Sequence, residues 1–565
     1  MSDTARTFFA PLPRRAKAAL LAASAGAAVI GAASAFAQEL QVPGPQAKLR
    51  FRNDYFGYGL SVGPRATYTD NIDLAPDGFK ESEVAASVAA NGSAIWSSNR
   101  VTAIVDGSLD FSYLVDRGDF VVNQDIGAAG TVTVADNLFY IDAAGSTSRQ
   151  LAGENARFSR NINAGRGQRV NLHNLALSPY LNRRFADGSA VELRYRVSQV
   201  FIDDDANVFG ANFNNDSRTQ EAIANYQTGE RFDRVQLGFT AYGNKTREYG
   251  SAALEDFEYE QATGVVDAQL ALNTRFALTG AVGYDEVDTT APAQFIPVDQ
   301  LSGLFWRAGF RARPGPRTDV RLEYGRLYDY DFVDANISYD LSNRLNFTAN
   351  ASRSFRTRAQ AVTTQYEALQ RRTLDFVERL REGETGDAEG IINALTQAND
   401  QRFLGQNVGF GVANEANARL SAVLGARSTA NLYGFYNDTD FSFRRITTFG
   451  GGLGGTHQLS RRLTAYGDLF YRHVDSNVDL GSCLSDPRLF GFDTAVPGFD
   501  PAVECGSLVA QNATTNAVGG RVGASYRLAR NASAFGEYSH TQRFSQNALL
   551  EFGENAVTAG VQVEF

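Results

Sequence analysis

Charged side chains set at every second position inside otherwise apolar stretches are the residues of this 565-residue chain with chemistry to offer. Arg194 and Arg196 stand with Glu192 among Val191, Leu193, Tyr195 and Val197, and Arg234 precedes Val235, Leu237 and Phe239. Arg307 and Arg311 alternate with Trp306, Ala308 and Phe310, Arg321 and Glu323 follow, and Arg521 and Arg527 oppose Val518, Val522 and Tyr526. Guanidinium groups gathered on one surface attract anions and polar solutes and can line a passage for them. They form no catalytic set. His173, His457, His473 and His540 are far apart, only two Cys occur, and no nucleophile elbow or His–Ser motif is present, so no enzyme, metal site or cofactor is expected.

The element that places a charge at every second residue is the β-strand. Val101, Ala103, Val105, Leu109, Phe111 and Tyr113 share one face of such a strand, and Asp106, Ser108, Asp110 and Ser112 share the other. Short polar punctuation recurs at residues 97–100, 136–137, 183–184, 228–230, 273–275, 314–316, 342–344, 425–427, 460–462 and 529–531. Each such turn separates two strands, and a more variable connection separates successive turns. About ten turns imply about 22 strands, within a range of 18 to 24. The fold expected is therefore all-β: an antiparallel up-and-down transmembrane barrel over 58–565, charged face inward and apolar face to lipid. A soluble solenoid or propeller would not explain long two-faced strands.

The two ends of the chain agree. Arg6, Arg14, Arg15 and Lys17 precede an Ala-rich apolar run closed by Ala35-Phe36-Ala37, so residues 1–37 read as a secretory signal peptide and 38–57 as a short periplasmic lead-in. That lead-in leaves no room for an N-terminal plug of the TonB-dependent kind. At the other end Val557, Ala559, Val561, Val563 and Phe565 share a face. A last strand ending on an aromatic residue resembles the signal by which Gram-negative outer-membrane barrels are recognised by the barrel-assembly machinery, with Val561, Val563 and Phe565 in that role. The net charge of −10, more negative without the basic leader, argues against nucleic acid. The partners expected are outer-membrane lipid, lipopolysaccharide and polysaccharide-secretion proteins.

Ser61 to Pro76, with Tyr68-Thr69-Asp70-Asn71 closing an early strand, resembles porin-like outer-membrane β-barrel families, especially those associated with PEP-CTERM/exosortase and exopolysaccharide loci. The resemblance implies an outer-membrane protein of polysaccharide-secreting bacteria and carries over no site residues. Asp70-Asn71-Ile72-Asp73 reads as an acidic strand-end turn or a Ca²⁺ ligand run, and the Asp203–Asp216 stretch as an outer loop or a cation site. Cys483 and Cys505 share one loop and should oxidise after export.

One segment departs from the period of two. Across 360–400, Tyr366, Leu369, Val377 and Leu380 follow helical spacing, and Ile391 and Leu395 follow it again after Gly383-Glu384-Thr385-Gly386. A helical insertion in an outer loop is expected there, as a gate over the lumen or as a decoration. The functional expectation is an outer-membrane polar conduit for exopolysaccharide export or small polar solutes. The alternatives are a non-conducting surface barrel and, behind it, an outer-membrane enzyme.

Overall fold

A computed structural model describes residues 50–53, 56–151, 156–203, 216–229, 234–249, 256–290, 301–342, 344–356, 411–440, 444–478, 480–487, 494, 498–510 and 514–565. The expected signal peptide, the expected helical insertion at 360–400 and most of 203–216 lie outside them.

Twenty-three strands form one antiparallel sheet, from β1 (Arg50–Asn53) and β2 (Phe56–Thr69) to β22 (Ala532–Ser545) and β23 (Phe552–Glu564). β2 to β23 each pair with their chain neighbours, and β23 pairs back onto β2 from Ser61↔Glu564 to Thr69↔Ala556, closing a 22-stranded barrel. β1 pairs with β2 alone, through Tyr58, Gly57 and Phe56, beyond the end of that seam. Closure leaves no unpaired edge, which is the condition for a sheet to exist in hydrocarbon. Side chains also staple the seam: Thr67 to Thr558 at 3.0 Å, Thr69 to Glu554 at 2.8 Å, and Asn555 to Asp70 at 2.7 Å.

The residue alternation sorts outside from inside. Val105, Phe111, Tyr113, Leu193, Tyr195, Leu304, Trp306, Val518, Val522 and Tyr526 are exposed on the outer face, while Asp106, Asp110, Ser112, Arg196, Arg307 and Asp468 are buried inside. An apolar exterior around a charged interior inverts a soluble protein, so the solvent against the wall is lipid. This is a transmembrane barrel. Its shortest wall strands, β13 (Gly303–Ala312) and β14 (Thr318–Leu327), have ten residues each. Ten residues at about 3.3 Å each, tilted by about 40°, rise about 25 Å, the height of an outer-membrane apolar band.

All ten short turns expected from the sequence fall at one end, beside the C-terminus. The opposite end carries connections of varied length, from the two-residue turn Tyr328-Asp329 to the long connection between β20 (Leu463–Val478) and β21 (Thr515–Arg527). In one of them, α1 (Leu480–Ser485) and α2 (Pro501–Ala510) are joined by the Cys483–Cys505 disulfide, with Cα atoms 5.8 Å apart. Among the described residues no helix is long and apolar enough to cross a membrane.

Candidate functional site

The lumen is crossed by a strap. Residues 156–168, between β6 (Phe139–Leu151) and β7 (Arg169–Arg184), leave the wall at the long-loop end and fold into the barrel. Gly165 makes the return bend possible. Its φ of 64° is left-handed, its N–H donates to the Ile72 carbonyl at 2.8 Å, and a Cβ there would sit 2.7 Å from Leu74 Cδ1.

The strap docks on β20 (Leu463–Val478) and β23. β20 stands eight strands from β6 by the shorter way round the closed sheet, so the strap runs as a chord. The Phe158 ring meets Phe470 edge-on, centroids 5.7 Å apart. Arg160 pairs with Asp468 and lies 4.9 Å over the Phe470 ring, and Asp468 is held from its other side by Arg521 at 2.6 Å. Ser159 and Asn161 both donate to the Glu554 carboxylate, which also accepts from Thr69. Arg157 donates to the carbonyls of Leu74 and Leu549 at 3.0 and 2.6 Å, and burial lowers the pKa of its guanidinium. Ala164 seals the turn against Ile72, Leu74 and Phe552. Both buried carboxylates of the dock are compensated, Asp468 by two guanidinium groups and Glu554 by three hydrogen-bond donors, as a low-dielectric interior requires.

Eight of the ten charged residues expected to line the lumen face inward. Most are compensated. Arg194 pairs with Asp142 at 2.8 Å and Glu192 at 3.0 Å and lies 3.9 Å over Tyr180. Arg196 pairs with Glu221 at 2.9 Å, and Arg307 and Arg321 share Glu323 at 3.0 and 2.8 Å. Arg311 holds Asp319 at 2.7 Å. Arg234 and Arg527 correct the expectation: Arg234 lies exposed in the turn before β10 (Val235–Tyr249), and Arg527 is the exposed last residue of β21 (Thr515–Arg527). A period of two assigns a face but not a depth, so both have inward parity while standing at the rim, Arg234 just before its strand and Arg527 at the end of its own.

Asp70-Asn71-Ile72-Asp73 is a strand-end turn whose polar atoms are already used. Asp70 bonds Asn555, Asn71 bonds Ala75 and the Gly553 carbonyl, and Asp73 binds Arg117, whose pKa is raised by that hydrogen bond. Among the described residues no group of His, Cys, Asp or Glu could hold a metal ion. The expected gate residues Tyr366, Leu369, Val377, Leu380, Ile391 and Leu395 lie outside the described residues. Phe158, Ser159, Arg160 and Asn161 were missed. Their segment reads as an ordinary polar loop, whereas Asp468 and Glu554, as carboxylates at inward positions of strands, could have been picked out.

No family model and no curated protein matches this chain. Among solved structures it is similar to the siderophore receptor PirA from Acinetobacter baumannii, at 9% identity, covering 90% of this chain and 80% of that one, TM-score 0.44. The ferric-catecholate import receptor Fiu from E. coli K12 matches at 10% identity over 92% of this chain and 82% of that one, TM-score 0.43. A loop-deletion mutant of the Vibrio cholerae outer-membrane protein OmpT matches at 9% identity over 90% of this chain and all of that one, TM-score 0.28.

Proposed function

We propose that the protein is a conduit of the outer membrane through which polar solutes pass beside a fixed internal strap. The observation that carries this reading is the strap itself. A barrel of 22 strands encloses a lumen wide enough to need filling. The chord from β6 to β20 and β23 closes off the side lined by β20–β23 and β2–β6, and polar side chains of the opposite wall stay exposed, Asn336 and Thr348 among them. A narrowed, polar, water-accessible lumen conducts selectively.

Outer-membrane placement belongs to the same proposal. It is supported by the closed barrel with its lipid-facing apolar exterior and by the leader and terminal strand read in the sequence, where Val561, Val563 and Phe565 serve assembly. Export of an exopolysaccharide strand and uptake of small polar solutes use the same lumen; the strap's narrowing favours chains and solutes of small cross-section.

A second reading, a surface barrel that conducts nothing, is favoured by the ion pairs around Arg194, Arg196, Arg307 and Arg321, which neutralise and fill much of the wall. Planar-bilayer recording of the purified protein separates the two. Stepwise ohmic current is expected, and its absence at high protein load in heat-modifiable, folded barrel would leave the second reading in place.

A further inference from the structure

The wall that runs from the strap's β20 dock round to β15 carries a row of uncharged amides. On β15 (Tyr330–Ser342), β16 (Leu345–Arg356), β17 (Gly411–Gly425) and β18 (Ser428–Asp440), Asn336, Asn350, Asn417 and Phe435 fall in one transverse row of the sheet. The next row holds Ser338, Thr348, Arg419 and Tyr433. Residues in direct register share a face, and that face is the inner one. Tyr433 and Phe435 pack against the cluster containing Phe158 and Phe470, while Val333, Leu432 and Tyr436 are exposed on the lipid side.

We infer that these two rows form a binding subsite for a neutral polyhydroxylated solute, the chemical class of an oligosaccharide; this deepens the conduit reading and rests on it. A carboxamide offers one acceptor and two donors without charge, a pattern that pairs with hydroxyl groups in either direction. Three of them, one per strand at about 4.8 Å intervals, repeat at a spacing comparable with the rings of an extended glycan. Among the described residues none of the three carboxamides is tied up in a side-chain hydrogen bond, and Asn336 and Thr348 are exposed to the lumen. Tyr433 and Phe435 add aromatic surface at the end of the rows nearest the strap, suited to the C–H face of a sugar ring. Arg419 donates to Asn431 at 3.5 Å and brings a guanidinium to the same surface. The neighbouring Arg307 and Arg321 share Glu323 and lie near Asp267 and Asp334, so charges of both signs are mixed there and no uniform field selects an anion over a neutral solute.

The test is titration calorimetry of the full-length protein in detergent with maltoheptaose and, separately, with an oligogalacturonate of equal length. Saturable binding of maltoheptaose is expected. Asn350→Leu combined with Asn417→Leu should weaken it about tenfold or more, and Asn350→Ser with Asn417→Ser should weaken it less. Each variant is first confirmed as heat-modifiable barrel, and the serine pair serves if the leucine pair does not fold. Absence of saturable binding, tighter binding of the oligogalacturonate, or equal binding by a folded variant overturns the inference. A protein that conducts but does not bind keeps the conduit and loses the subsite; one that binds but carries no current keeps the subsite and loses the conduit.

Discussion

Releasing the strap is the perturbation that asks most of the structure. Phe158 is 4% exposed with its ring against Phe470, so Phe158→Ala removes a buried aromatic contact worth about 3–5 kcal/mol. Arg160→Ala is gentler than a broken buried pair usually is, because Asp468 keeps Arg521 at 2.6 Å. The Phe158 change alone should raise the ratio of undocked to docked strap by about 10²–10⁴. The wall should be unaffected, since its ladders do not pass through the strap. The strap contains Arg157, Arg160 and Arg166, so trypsin reports on it directly. Wild type should resist cleavage there, and Phe158→Ala should be cut into two fragments that still run together as a folded barrel before heating. Single-channel conductance should rise in parallel. Equal trypsin resistance and unchanged conductance in a folded Phe158→Ala protein would refute the docking energetics and the narrowing role together.

Three further outcomes follow from the same geometry. Val522 lies near the middle of β21 with its side chain 60% exposed on the outer wall, and Val522→Arg should lower barrel stability in urea by about 2–4 kcal/mol, whereas an unchanged unfolding midpoint would place that face away from lipid. Deleting Phe565 should sharply reduce heat-modifiable barrel in isolated outer membranes; wild-type amounts would remove the assembly role from the last residue. Cys483→Ser with Cys505→Ser opens a loop of 22 residues and should destabilise the α1–α2 connection by about 3 kcal/mol, seen as faster proteolysis there while the barrel stays intact. Cleavage at the wild-type rate would show that packing alone holds the connection.

The wall was legible in the sequence because it repeats. Each strand reports its two faces through the same alternation, and the ten polar turns between strands fix the pairing of each residue with its neighbour in the next strand, as Arg307↔Gly325 and Arg521↔Ser539 illustrate. Depth was less legible: Arg234 and Arg527 have the parity of lumen residues, but Arg234 precedes its strand and Arg527 is the last paired residue of its own, at the rim. The strap was not legible at all. Phe158, Ser159 and Arg160 acquire their meaning from Phe470, Glu554 and Asp468, partners some 300 to 400 residues away, and no local period announces such a contact. The amide row needed the register as well, since Asn336, Asn350 and Asn417 become neighbours only once three strands are aligned.

Glu554, on which the strap rests, belongs to the last strand. Ser159 and Asn161 reach it across 395 and 393 positions of sequence, among the most distant contacts in the molecule. Such contacts form late, after the loops they span have closed. The Glu554 half of the strap's seat is therefore missing until β23 has come in between β22 and β2, and before that Phe470 and Asp468 of β20 hold it without that carboxylate. A chain whose last strand is not yet in place holds its strap by one of these anchors only, and the act of closing the wall adds the second.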